Sequence, residues 1–134
     1  LLTLADPDTP VFLAGSCDSE SIRNWMSFHT GAPLTAAAHA DFAVGSWQDL
    51  APLDAYRIGV PEYPDRSATL IVECDTLEAH GTTLRGPGIR DTAELSLPDP
   101  EALQRNHALF PLGLDFFFTS GSRIAALPRS TRIG

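Results

Sequence analysis

GVPEYPDRSATLIVEC, residues 59–74, joins two kinds of sequence whose meeting decides the fold. Pro61 and Pro64 lack a backbone donor and bias the residues before them away from helix, so PEYPDRS reads as an ordered, non-helical connection. Residues 68–72, ATLIV, form a nearly unbroken apolar and β-branched run, the pattern of a central strand covered on both faces. A polar loop feeding a central strand is a common place for a recognition surface. The plainer reading is a proline-stiffened turn that Asp65 and Arg66 keep solvated.

Upstream, residues 9–14 (TPVFLA) predict a first strand. Asp18 or Ser19 can cap a following helix in which Ile22, Trp25, Met26 and His29 recur at i, i+3, i+4 and i+7, with Gly31 and Pro33 as its stop. His29, ending that stripe, reads first as a packed residue or as a favourable charge at the helix C-terminus. Residues 41–45 (DFAVG) predict a strand, and Ser46 with Asp49 resembles a capping box for a short helix cut off by Pro52.

Downstream, a turn over residues 75–81 places His80 toward solvent. Residues 82–85 (TTLR) then read as the hairpin partner of the central strand. Gly86-Pro87-Gly88 follows, flanked by Arg85 and Arg90; a glycine nest for an anion is one reading and a tight turn the plainer one. Residues 92–97 predict an edge strand. Asp99-Pro100-Glu101 is a helix start, with a capping Asp, Pro at the first helical position and an acid in the first turn. That helix carries Leu103, Asn106, His107 and Phe110 and ends at Pro111. Residues 115–119 (DFFFT) predict a buried strand, since three consecutive phenylalanines cannot share one face of the pleat. Ser120-Gly121-Ser122 turns it into residues 123–127, a terminal hairpin, and the tail from Pro128 to Arg132 is basic and polar. Six or seven strands with interspersed helices make an α/β fold, a mixed β-sheet flanked by helices.

The totals agree. A chain of 134 residues with 43% hydrophobic and 19% charged residues fits a single domain, 1–134, that buries roughly two-thirds of its unfolded surface. Its formal net charge of -8 argues against nucleic-acid binding, which needs a basic face. All nine basic residues are arginine, so a lysine Schiff base and a P-loop lysine are both excluded. Cys17 and Cys74 are too few for a disulfide framework and point to reduced thiols in a cytoplasmic protein. No signal-peptide pattern or membrane-length apolar run occurs, and residues 1–4 read as the last turn of a helix whose start is missing.

The four histidines lie on different predicted elements with no H-x-H or H-E-x-x-H spacing, so no metal site is expected. Ser67 and Cys74 are conceivable nucleophiles, but there is no G-x-S-x-G, and Cys74 ends an apolar strand. Glu62 and Asp65 offer paired carboxylates that Arg66 could equally neutralise. By elimination, a binding or scaffolding domain is expected in preference to an enzyme.

Six strings, LLTLADPDTPVFL, WMSFHTGAPL, GVPEYPDRSATLIVEC, LRGPGI, LFPLGLDFFFT and ALPRSTRI, run in this order over nearly the whole chain. Together they resemble the PhnH family, a subunit of the bacterial carbon-phosphorus lyase system for phosphonate use. The resemblance implies a mixed-sheet fold similar to pyridoxal-phosphate-dependent transferases but without that cofactor, and no catalytic, cofactor-binding or metal residue is carried over. It also implies a homodimer that joins PhnG, PhnI and PhnJ subunits in a system that attaches an alkylphosphonate to the ribose of ATP with loss of adenine. The N-terminal part of the family domain is expected to be missing. Glu62, Tyr63, Asp65 and Arg66, Gly86 and Gly88, and Arg129 and Arg132 are the candidate contacts for a partner or a phosphate-bearing ligand. Loss of Arg129 and Arg132 together is expected to weaken assembly while leaving the melting point nearly unchanged. The alternative function is a small-ligand or nucleotide-binding protein that uses a transferase-like cleft.

Overall fold

The computed structural model describes residues 6–86 and 92–133, apart from the side chains of Pro64 and Asp65. The expected helical turn at residues 1–4 lies outside them.

The apolar run after the proline segment is β5, Thr69–Glu73, the middle strand of a five-stranded sheet. It pairs in parallel with β2 (Phe42–Ser46) on one side and β8 (Asp115–Ser120) on the other. β1 (Val11–Leu13) adds a fourth parallel strand beyond β2, and β9 (Arg123–Leu127) closes the other edge antiparallel to β8. β8 and β9 form the expected hairpin, with Gly121 at φ 59° in its turn, a conformation glycine takes without steric cost.

Alternate residues of these strands feed two cores. On one face Ala43, Leu70, Val72, Phe116 and Phe118 join Leu50, Leu84, Leu95, Leu103 and Leu114 in the larger cluster. Phe116 and Phe118 stack there, ring centroids 5.8 Å apart. On the other face Val11, Leu13 and Val44 meet Cys17, Met26 and Ala32, with Ile71 only half-buried. The central strand is therefore covered fully on one face and partly on the other.

The thinner cover is α1, Glu20–His29, capped by Ser19, whose hydroxyl accepts from the Ile22 N–H at 3.2 Å. Of its expected stripe Met26 is buried and Ile22 half-buried, but Trp25 is 43% exposed and His29 lies outside as well. His29 is not packed in the core. Its ring sits 4.9 Å from Trp25 and 5.0 Å from Phe28, an exposed aromatic group.

Two other expectations need correction. PEYPDRS is not a loop: β3 (Ile58–Val60) and β4 (Tyr63–Ser67) make an antiparallel two-stranded ribbon turning at Pro61 and Glu62. A ribbon leaves its outer edges unpaired, so Pro64 within β4 costs little. The TTLR segment, β6 (Thr82–Arg85), does not pair with β5, because both edges of β5 are already occupied by parallel neighbours. It is instead the middle of a three-stranded antiparallel sheet with β7 (Ala93–Leu95) and β10 (Arg132–Ile133). The basic tail thus contains a strand that the composition of residues 128–132 conceals.

α2 (Trp47–Leu50), α3 (Pro100–His107) and the small sheet all lie over the larger cluster. The caps are those read from sequence: Ser46 accepts from Asp49 N–H and Asp99 from Ala102 N–H.

Candidate functional site

The candidate residues fall in three places. Glu62 occupies the turn of the β3–β4 ribbon, with Tyr63 and Arg66 on β4 just beyond it. The Arg66 guanidinium carbon lies 3.8 Å from the centroid of the Tyr63 ring, a cation–π contact that holds two exposed anchor side chains together. Val60, across from Tyr63, is also exposed. The side chain of Asp65 and the whole of Gly88 lie outside the described residues.

Arg129 turns inward. Its side chain is 14% exposed, and it clasps Asp115 at the start of β8, with Nη2 to Oδ2 at 2.6 Å and Nε to Oδ1 at 3.2 Å. The Arg129 N–H donates to the same carboxylate at 2.7 Å, and Nη2 also reaches the Ser67 hydroxyl at the base of the ribbon. Its carbonyl accepts from His107 Nδ1 at 2.9 Å. This one residue ties the tail to β8, to the ribbon and to the end of α3.

Gly86 and Arg132 do come together. Gly86 has φ 144°, and a Cβ there would lie 3.2 Å from the Ser130 carbonyl oxygen and from the Thr131 Cα, so close passage of the tail backbone accounts for the glycine. Arg132 of β10 is the register partner of Arg85 of β6. These residues, with His107, Phe110 and Ser130, line an open cleft of about 470 Å³.

The structure also shows two clefts that the sequence reading missed. One, of about 600 Å³, lies between α2 and α3 and is lined by Trp47, Pro52, Leu53, Tyr56, Ala102 and Leu109, with Asp54, Asp99 and Arg105 as charged groups. Tyr56 is buried and its hydroxyl donates to the Leu50 carbonyl at 2.7 Å; burial pushes its pKa up to about 12. The other, of about 360 Å³, sits where β2 and β5 end and includes Ser46, Glu73, Cys74 and Asp75. Carboxyl ends of parallel strands are a recurrent ligand position. Both thiols nearby are poor nucleophiles, because burial first, and then Glu73 for Cys17 and Asp75 for Cys74, push their pKa values up. No group of His, Cys, Asp and Glu among the described residues is placed to hold a metal ion. No sequence signal marks either cleft, since each is assembled from elements far apart in the chain.

No helix among the described residues is long and apolar enough to cross a membrane. A family model described as "Bacterial phosphonate metabolism protein (PhnH)" matches residues 1–134. The chain is 39% identical over 140 aligned residues to the alpha-D-ribose 1-methylphosphonate 5-triphosphate synthase subunit PhnH of Rhizobium meliloti, covering 98% of this chain and 70% of that protein. It is also 35% identical over 83 residues to HtxG of Stutzerimonas stutzeri, provisionally named as a C-P lyase subunit, covering 58% of this chain and 43% of that protein.

Proposed function

The chain belongs to the PhnH family of bacterial phosphonate metabolism proteins, and from that membership we propose that it works as a non-catalytic subunit of the carbon-phosphorus lyase system. In this reading it is a cytoplasmic homodimer on its own and joins PhnG, PhnI and PhnJ subunits in the step that attaches an alkylphosphonate to the ribose of ATP with loss of adenine. The observation that carries the reading is the 39% identity, across almost the entire chain, to a subunit named for the synthase of a ribose methylphosphonate triphosphate. The described residues add support of a different kind. Phe28 is 86% exposed beside Trp25, and Tyr63 is 49% exposed under Arg66, so apolar and aromatic anchors stand on two surfaces. Aromatic and arginine side chains are the residue types that most often dominate interfaces.

A transferase-like arrangement of the mixed sheet belongs to the same proposal. No lysine is present in the sequence to form a pyridoxal phosphate Schiff base. The second reading, a small-ligand or nucleotide-binding protein, draws on the cleft of about 600 Å³, which falls in the size range of small-molecule sites.

Size-exclusion chromatography with light scattering, on the protein alone and mixed with purified PhnG, PhnI and PhnJ, tests the first reading. A dimer that shifts into a larger stable particle is expected. Tyr63→Ala with Arg66→Ala is expected to weaken that shift by roughly tenfold or more in affinity. A protein that stays apart from those subunits at both low and moderate salt overturns the proposal. Stabilisation by ATP but not by phosphonates or pyridoxal phosphate would then bring the second reading forward.

A further inference from the structure

We propose that the open cleft between the end of α3 and the β6–β10 pair is a binding site for a phosphorus oxyanion carried on an organic group, that is, a phosphate ester or a phosphonate. The argument starts from register. Arg85 and Arg132 are directly opposite each other on antiparallel strands, so their side chains leave the same face with Cβ atoms about 5 Å apart. Their neighbours Leu84 and Ile133 go to the other face and join the core. Like charges directly opposite on a sheet are destabilising unless an anion lies between them.

There are nine basic residues against seventeen acidic ones, and Arg23, Arg57 and Arg129 each hold a carboxylate. Neither Arg85 nor Arg132 has an ion-pair partner among the described residues. What sets the pair apart is its register and not the lack of an ion pair, since Arg66, Arg105 and Arg123 also have no ion-pair partner among the described residues. In a protein of net charge -8, two guanidinium groups without a carboxylate partner among the described residues stand side by side on one sheet face and line a cleft of about 470 Å³.

The remaining lining suits the same ligand. Two guanidinium forks offer several donors to tetrahedral oxygens, and the Ser130 hydroxyl adds another. His107 donates its Nδ1–H to the Arg129 carbonyl, which leaves its Nε2 as an acceptor for a P–OH of the ligand. Phe110, more than half exposed, lies with its ring 27° from the plane of His107 and gives the organic part an apolar shelf. The carbonyl end of α3 would oppose an anion, but the Gln104, Asn106 and His107 carbonyls already accept from Ala108, Leu109 and Phe110 N–H groups. The inference rests on register and charge and does not need the subunit reading.

Isothermal titration calorimetry of this chain in phosphate-free buffer at fixed ionic strength provides the test, with methylphosphonate, AMP and inorganic phosphate as probes and acetate as the planar control. Phosphorus oxyanions are expected to bind and acetate is not. Arg85→Gln and Arg132→Gln should each weaken binding at least tenfold, Arg23→Gln should leave it unchanged, and Phe110→Ala should erase any preference for AMP or methylphosphonate over phosphate. Without ligand, the two cleft variants should melt at the same temperature as the parent or higher, because repulsion is relieved. A lower melting point would show that the pair holds the sheet together and overturn the proposal. So would equal heats from acetate, or undiminished binding in both arginine variants. If a variant does not fold, the His107 ring signals of the parent decide: they must move on adding methylphosphonate or AMP and stay fixed with acetate.

Discussion

Arg129 and Arg132 stand three residues apart in one tail, and their surroundings are opposite. Arg129 makes a bidentate pair with Asp115, reaches Ser67 and is held again through its own backbone N–H, whereas Arg132 lies exposed across from Arg85. Removing one partner of a largely buried pair strands the other charge, and the partial exposure of Asp115 moderates the loss. Arg129→Ala is therefore expected to lower unfolding free energy by about 2–4 kcal/mol. Arg132→Ala should stay within about 0.5 kcal/mol of the parent, as surface changes do. Urea unfolding of the two variants checks this, and equal losses would refute it. The expectation that both arginines could be removed with the melting point nearly unchanged does not survive the geometry of Arg129. Composition marked both as exposed, basic and polar; only the position of Asp115 at the head of β8 separates them.

Among the elements, α2 shows how a short helix depends on a distant group. It has four residues, begins on the Ser46 cap, and at its far end the Leu50 carbonyl accepts from the buried Tyr56 hydroxyl. The phenol must keep its proton to donate. Its pKa rises from the ordinary 10.0 to about 12 in the folded protein, so the unfolded chain loses this proton first. Stability is complete below pH 10 and falls as pH rises toward 12 and through it, by roughly 2–3 kcal/mol in all. Tyr56→Phe should flatten that part of the pH profile while lowering stability at neutral pH by about 1–2 kcal/mol, the cost of an unpaired buried carbonyl. Denaturation followed at pH 8, 10 and 11.5 reads both effects. The start of α2 was legible in sequence, as were the starts of α1 and α3, because Ser19, Ser46 and Asp99 act on N–H groups only three residues ahead. The β8–β9 hairpin was legible for the same reason. The partners of β6 were not, because they depend on which edges of β5 are free. Neither was the double hydrogen bond of Asn106 with the Leu114 backbone, nor the pairing of Arg85 with Arg132, since each joins segments through the fold and not along the chain.

Taken whole, the molecule is lopsided about its main sheet. The larger cluster draws residues from β2, β5, β6, β7, β8, β9, α2 and α3, so loss of any one of these elements exposes apolar surface on several others. The smaller cluster joins only α1, the segments beside it, β1 and β2, with Ile71 of β5 at its margin. Met26 is the one fully buried residue of α1, and a ten-residue helix is marginal when not packed against something. α1 should therefore open locally, at a lower free energy than the central strands. Met26→Ala, a truncation that typically costs about 2–5 kcal/mol in a core, removes most of what docks this helix. Hydrogen exchange should show α1 amides speeding up strongly in that variant while Leu70 and Val72 amides in β5 change little. Phe118→Ala, by contrast, cuts into the larger cluster and should speed exchange across the sheet, in α3 and in α1 together. If Met26→Ala accelerates β5 amides as much as those of α1, the two faces unfold as one unit and the division fails. The aromatic group of Trp25, Phe28 and His29 rides on the element that opens most readily, so a partner gripping those rings would also hold α1 on the sheet. The same exchange measurement, repeated in the presence of the partner subunits, should then show α1 protected before any other element.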